Sequence, residues 1–352
     1  MIKRVFPGGN TAYGFYSFYN YIIEPDATRI MIIKGGPGVG KSTFMKKIGE
    51  ELIDRGLDLE YHHCSGDNNS IDGIVAPAIK VAMIDGTAPH IVDPKNPGAV
   101  DEIIHLGDYW NEKGMRQAKE DILAANKEVG RLFKKGYSFL SALNSVVNDY
   151  VNINGDLMDF GKIDRIALEI MENIKGGQDK QGRIRHLFAS AITPDGVVDY
   201  LETVVGPMDN IFVIKGEAGT GKSTLLKRIT EHAVMRGYYI EAYHDHLDPD
   251  KYAHVIIPQL STAFTVSEKF EKQASSVYDL NEYMCKGRYD EKARDQAVMD
   301  ILLSNAVKYI NEAKKTHDHM ETFYIPNMDF EQISEVRQKT LDRILGYAEE
   351  FV

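Results

Sequence analysis

The chain has 352 residues, 43% of them hydrophobic, which is enough to bury more than one core. Its formal charge of −11 argues against bulk binding to nucleic acid, which needs a basic face. Two cysteines (Cys64, Cys285), an early Pro7–Thr11 break in any leader-like run, and no apolar run near the ~20 residues of a membrane span point to a soluble, cytoplasmic protein.

In chain order, an N-terminal segment (Val5 to Ile23) precedes a strand-like run, Ile30 to Ile33. A glycine-rich stretch follows, and then a helix whose apolar residues Phe44, Met45, Ile48, Leu52 and Ile53 recur at helical spacing. Gly56 ends it as a C-terminal cap. A second strand spans Leu57 to His63, followed by a polar loop and a third strand, Lys80 to Asp85. The charged stretch from Glu112 to Val151 has few breakers and predicts a pair of helices; Lys162 to Met171 predicts another, with Asp159 as its N-cap. After a polar joint, Lys175 to Gly182, the order starts again. It runs through Leu187 to Val205, Ile211 to Ile214, Tyr238 to His244, Asp290 to Phe323 and Gln332 to Leu345.

This recurrence is an internal repeat. Lys34, Lys41, Arg55, Gly56, Glu60, His63, Asp67 and Pro77 return 181 positions later as Lys215, Lys222, Arg236, Gly237, Glu241, His244, Asp248 and Pro258. A shift of 182 pairs Phe6, Thr11 and Gly14 with Phe188, Thr193 and Gly196. Met158, Asp159 and Phe160 recur as Met328, Asp329 and Phe330. The chain therefore divides into residues 1–180 and 181–352, each a normal domain size. Strand, helix, strand, helix with glycines at the first turn predicts an α/β fold. Each copy should be a doubly wound, mainly parallel sheet with helices on both faces and an added helical hairpin.

The glycine stretch is the phosphate-cradling P-loop pattern, present twice. Copy one is Gly35, Gly36, Pro37, Gly38, Val39, Gly40, Lys41, Ser42 and Thr43; copy two is Gly216, Glu217, Ala218, Gly219, Thr220, Gly221, Lys222, Ser223 and Thr224. Glycines let backbone N–H groups turn toward phosphate, and the positive end of the following helix adds to that field. Lys41 and Lys222 can reach the terminal phosphates, and Ser42 and Ser223 can each offer a hydroxyl to Mg²⁺. The partner expected is a nucleoside triphosphate. Without an Asn/Thr-Lys-x-Asp guanine-reading motif, ATP is favoured over GTP.

Catalysis needs more than the cradle. Mg²⁺ calls for a carboxylate at a neighbouring strand tip, and Asp85, which ends the third strand, is the candidate; its competing reading is a turn-starting Asp before Gly86. Copy two has Val266 there, with Glu268 two residues out of register, or Asp245 or Asp248, as substitutes. His63 and His244 end the second strand, expected beside the P-loop strand, and could touch substrate or cap the strand. Asp67 and Asp248 divide similarly between substrate contact and capping. Lys3, Arg4, Arg183 or Arg185 could reach across as an arginine finger into the other copy's site.

The P-loops are similar to those of the P-loop NTPase superfamily. The tandem pattern, with Asp85–Pro94 and Arg185–Pro194, resembles an uncharacterised bacterial family of twin P-loop ATPase or nucleotide-kinase-like proteins. The resemblance implies ATP binding at 35–43 and 216–224. The leading expectation is a Mg²⁺-ATP hydrolase with a competent first site and a weaker or regulatory second. A kinase acting on a small-molecule acceptor through the loop from Cys64 to Gly73, and a nucleotide-switched partner-binding module, are the alternatives.

Overall fold

The computed structural model describes residues 1–88, 90–177, 179–285 and 290–350. Pro89, in the loop after Asp85, and Gln178, in the expected joint, lie outside them, as do the side chains of 290–293.

The first repeat opens with β1 (Ile2–Val5), a hairpin of β2 (Gly8–Thr11) and β3 (Gly14–Ser17), then β4 (Arg29–Lys34) and α1 (Lys41–Asp54). It continues through β5 (Leu59–His63), β6 (Ile71–Ala76), β7 (Val81–Asp85), β8 (Asp101–His105), α2 (Glu112–Gln117), α3 (Lys119–Gly155) and α4 (Phe160–Asn173). The second repeat has β9 (Arg183–Leu187), a hairpin of β10 (Ser190–Thr193) and β11 (Gly196–Asp199), α5 (Leu201–Val204), β12 (Asn210–Lys215) and α6 (Lys222–Met235). Then come β13 (Tyr239–His244), β14 (Tyr252–Ile257), β15 (Thr262–Thr265), β16 (Ser276–Asp279), α7 (Asp290–Tyr324) and α8 (Phe330–Glu349).

The strands form two six-stranded sheets of matching order, β1-β5-β6-β7-β4-β8 and β9-β13-β14-β15-β12-β16. All neighbours are parallel except β6 and β14, which run against both flanking strands. β4 and β7 are near-continuous Ile, Val, Met and Ala runs, as strands covered on both faces should be. A 3-10 turn joins β6 to β7 and forces Lys80 into the left-handed region (φ 52°); Ser261 adopts the same backbone (φ 45°) at the matching place. β6 and β14 are not foreseen in the sequence. β6 and β7 separate β5 from β4, and β14 and β15 separate β13 from β12, so neither His63 nor His244 ends a strand beside the glycine-loop strand as expected.

The helices depart from the expectation in two ways. First, each predicted hairpin is mainly one long helix. α3 has 37 residues, about 55 Å at 1.5 Å per residue, and it packs against α7 of the other repeat. Leu140, Leu143, Ala306 and Ile310 fill that contact. Gly136 brings the helices close: a Cβ there would sit 3.2 Å from Ile310 Cγ1. Second, long helices cover one face of each sheet rather than both. The opposite face of the first sheet packs on Tyr19 and Ile22, that of the second on Val5, α5 and Phe270.

The closing helices are exchanged. Ile333, Leu341 and Ile344 of α8 enter the core formed by β4, β7 and α1 of the first repeat. Ile163, Ile166 and Ile170 of α4 enter the core around β12 and α6 of the second. Backbone hydrogen bonds anchor both crossings: Asp329 N to Tyr109 O and Asp159 N to Tyr283 O, each 2.9 Å. Asp329 caps α8 through its side chain, which accepts from Gln332 N at 3.1 Å; Asp159 occupies the same place on α4 but its side chain makes no cap. Among the described residues no helix is long and apolar enough to cross a membrane.

Candidate functional site

Both glycine loops sit between a central strand, β4 or β12, and the N-terminus of the next helix. Gly38 and Gly40 (φ 65° and 87°) and Gly219 and Gly221 (both 93°) hold left-handed backbone that side chains disfavour, which is why glycine is needed there. Lys41 folds back over its loop and donates from Nζ to Gly35 O (3.1 Å) and Gly36 O (2.8 Å). Lys222 does the same to Gly216 O and Glu217 O. Ser42 Oγ accepts from Ile71 N at 3.1 Å and Ser223 Oγ from Tyr252 N at 2.8 Å, so each hydroxyl faces the start of the antiparallel strand.

The loops differ in the acids around them. Asp85 Oδ2 is 3.6 Å from Lys41 Nζ, with both side chains mostly buried. Asp85 Oδ1 accepts from the Thr87 backbone (2.9 Å) and hydroxyl (2.5 Å), so the residue starts a turn and faces the lysine at once. Asp72, at the start of β6, and His90 approach Asp85 so that one ligand atom from each of the three lies within 4.8 Å of the others. Only β6, which the sequence does not announce, brings Asp72 to this place, while His90 comes from the loop after β7. Burial pushes the Asp72 carboxyl above its ordinary value and the nearby Asp85 adds to this, while His90 and the Tyr19 hydroxyl oppose it.

In the second repeat Ala253 and Val266 stand where Asp72 and Asp85 stand in the first. Lys222 makes no carboxylate ion pair among the described residues. Burial pushes its ammonium down to about 8, against the pull of Asp245, Glu217 and Glu268. Of the substitutes considered for Asp85, Asp245 acts most strongly on Lys222 through its charge, ahead of Glu268. Asp245 Oδ1 accepts from Leu247 N and Asp248 N, and Asp248 pairs with Lys251 at 2.9 Å. Glu268 begins a 3-10 turn. Asp67, like Asp248, bonds within its own loop, to Asn69 N and Ser70 Oγ.

Each loop is capped by the other repeat. Gly38 N donates to Glu321 Oε1 at 3.2 Å, and Tyr324 lies so close over Gly36 that a Cβ there would meet its ring at 2.4 Å. On the second loop, Asn154 Nδ2 donates to Ala218 O at 2.7 Å and Tyr150 to the Glu217 carboxylate. Phe330 and Phe160 cover Gly40 and Gly221 in turn. The ends of α3 and α7 and the starts of α4 and α8 supply these contacts from the other repeat, which is why the sequence, read one repeat at a time, does not reveal them.

His63 pairs in register with Ile71, whose N donates to Ser42 Oγ. Its ring contacts Arg4 Nη1 (3.0 Å), Asn68 O (3.3 Å) and Tyr200 of the second repeat (3.1 Å), and burial pushes its pKa down to about 4. The proposed arginine fingers are likewise committed: Lys3 to Glu241 and Glu60, Arg185 to Glu60, and Arg183 to Glu24. Compared with protein-family models, curated proteins and solved structures, the chain matches none.

Proposed function

We propose that the chain is a tandem P-loop protein that binds Mg²⁺-ATP at both loops and hydrolyses it mainly at the first. The observation that carries this reading is the 3.6 Å approach of Asp85 to Lys41, with Val266 at the matching place near Lys222. A lysine able to turn from loop carbonyls to phosphate oxygens, a hydroxyl at the helix start and a carboxylate at the next strand tip are the parts phosphoryl transfer to water uses. Gly35 to Thr43 and Gly216 to Thr224 would cradle the phosphates, and Ser42, Asp85 and Ser223 would face the metal. Mg²⁺ would neutralise charge developing on the γ-phosphate. The second loop, whose lysine makes no carboxylate ion pair among the described residues, would bind nucleotide and turn it over slowly.

The switch reading gains support from the caps. Glu321 and Tyr324 lie on the first loop, so a nucleotide would have to displace a segment that anchors the opposite repeat's helix. Phosphate release by the pure protein with Mg²⁺-ATP tests the proposal. Turnover lost in Asp85→Asn supports it; an absence of both binding and turnover rejects it.

A further inference from the structure

We propose that Asp72, Asp85 and His90 form a binding site for one first-row transition divalent ion, of the Mn²⁺, Co²⁺ or Zn²⁺ class, present in the first repeat alone. Ligand atoms of the three residues lie within 4.8 Å of one another. His90 Nε2 stands 3.9 Å from Asp72 Oδ1, with both side chains more than nine-tenths buried. Ligands about 2.1 Å from a shared tetrahedral ion are about 3.4 Å apart, so the His90–Asp72 pair has to close by about half an ångström and the widest pair by at most about 1.4 Å.

The independent sign of a ligand is His90 itself. Both of its ring nitrogens are buried and neither has a hydrogen-bond partner among the described residues, a costly state for an imidazole unless something binds it. Tyr19 positions the set. Its ring stacks on His90 with centroids 4.5 Å apart, and its hydroxyl donates to Asp72 Oδ2 at 2.6 Å. This leaves Oδ1 on the His90 side, where a hydrogen-bonded second shell fixes a ligand's direction. Asp85 is fixed in the same way by Thr87.

The donor set selects the ion. Mg²⁺ prefers oxygen ligands and retains its waters, whereas two carboxylates with an imidazole suit the later divalent ions. The second repeat has Ala253 and Val266 in place of the two acids, so one ion per chain is expected. The site does not depend on nucleotide binding. If both hold, the ion stands beside Lys41, on the metal side of the phosphates.

The test uses the full nucleotide-free chain titrated with Co²⁺, read by visible absorption and by metal content after desalting. One Co²⁺ per chain, not displaced by a large excess of Mg²⁺, is expected, with affinity about a hundredfold weaker in His90→Gln and Asp72→Asn. X-ray absorption on the wild-type Co²⁺ form should show an imidazole ligand, a readout that survives if a variant misfolds. No tight Co²⁺ site, a site equally strong in both folded variants, or a coordination shell without imidazole would overturn the proposal. A chain that binds Co²⁺ but not ATP would keep this site and reject the nucleotide reading instead.

Discussion

Glu321, in the second repeat, accepts a hydrogen bond from Gly38 N in the first repeat's glycine loop, at 3.2 Å. A carboxylate oxygen thus takes a backbone donor of the kind that a P-loop aims at phosphate. If nucleotide binds there, Glu321 has to leave, and its charge opposes the incoming phosphates. Glu321→Gln should therefore tighten binding of a fluorescent ATP analogue at the first loop by about three- to tenfold, a charge-assisted hydrogen bond discounted for partial exposure. Unchanged or weaker binding would show that the contact is only packing.

Asp85 and Val266 predict unequal halves. Lys41→Ala should remove most ATP turnover, and Lys222→Ala should lower it only in part. Asp85→Asn should keep nucleotide binding and cut turnover by about a hundredfold, equivalent to about 3 kcal/mol of barrier. Rates and bound stoichiometry measured on the three variants check this. If Lys222→Ala is the more damaging, the second loop is the active one.

Much of the architecture is legible in the sequence because it is local. β4, α1, β5 and β7 follow from apolar runs and glycine stops, and the repeat follows from identities such as Glu60 with Glu241. What is not legible depends on contacts between the halves. Nothing in the stretch from Gln332 to Leu345 says that its apolar face will enter the first repeat's core rather than its own. β6 begins Ile71-Asp72-Gly73, a turn-like sequence, so its pairing shows only when β5 and β7 are already placed on either side. Asp72, Glu321 and Tyr324 escape the sequence reading for these reasons.

The exchanged helix makes the first sheet's stability depend on the chain's C-terminal end. Ile344 is fully buried against α1-side residues of the first repeat. Ile344→Ala should destabilise the protein by about 2–5 kcal/mol, as a buried truncation that leaves a cavity. The effect should be centred on the first repeat. Hydrogen exchange should quicken in α1 and β4 more than in α6 and β12; equal quickening in both halves would argue against the exchange.

Three histidines predict how stability depends on pH. Burial is the main cause of each shift: His63 is pushed down to about 4, His244 to about 3 and His254 to about 4. Arg4 adds to the effect on His63 and His186 to that on His244, while Thr265 holds His254 by a 2.6 Å hydrogen bond. In the unfolded chain all three would titrate near 6.5. Between about pH 6.5 and 4 the unfolded state therefore binds more protons, so stability rises with pH across that window. It is fully present above 6.5 and is lost as pH falls toward the folded values. Each neutral histidine should cost about 1–2 kcal/mol between pH 7 and pH 5, before most carboxylates begin to protonate. Urea midpoints at the two pH values, for the wild type and His254→Gln, measure this. The wild type should lose more stability than the variant, and equal losses would mean that His254 does not stay neutral in the fold.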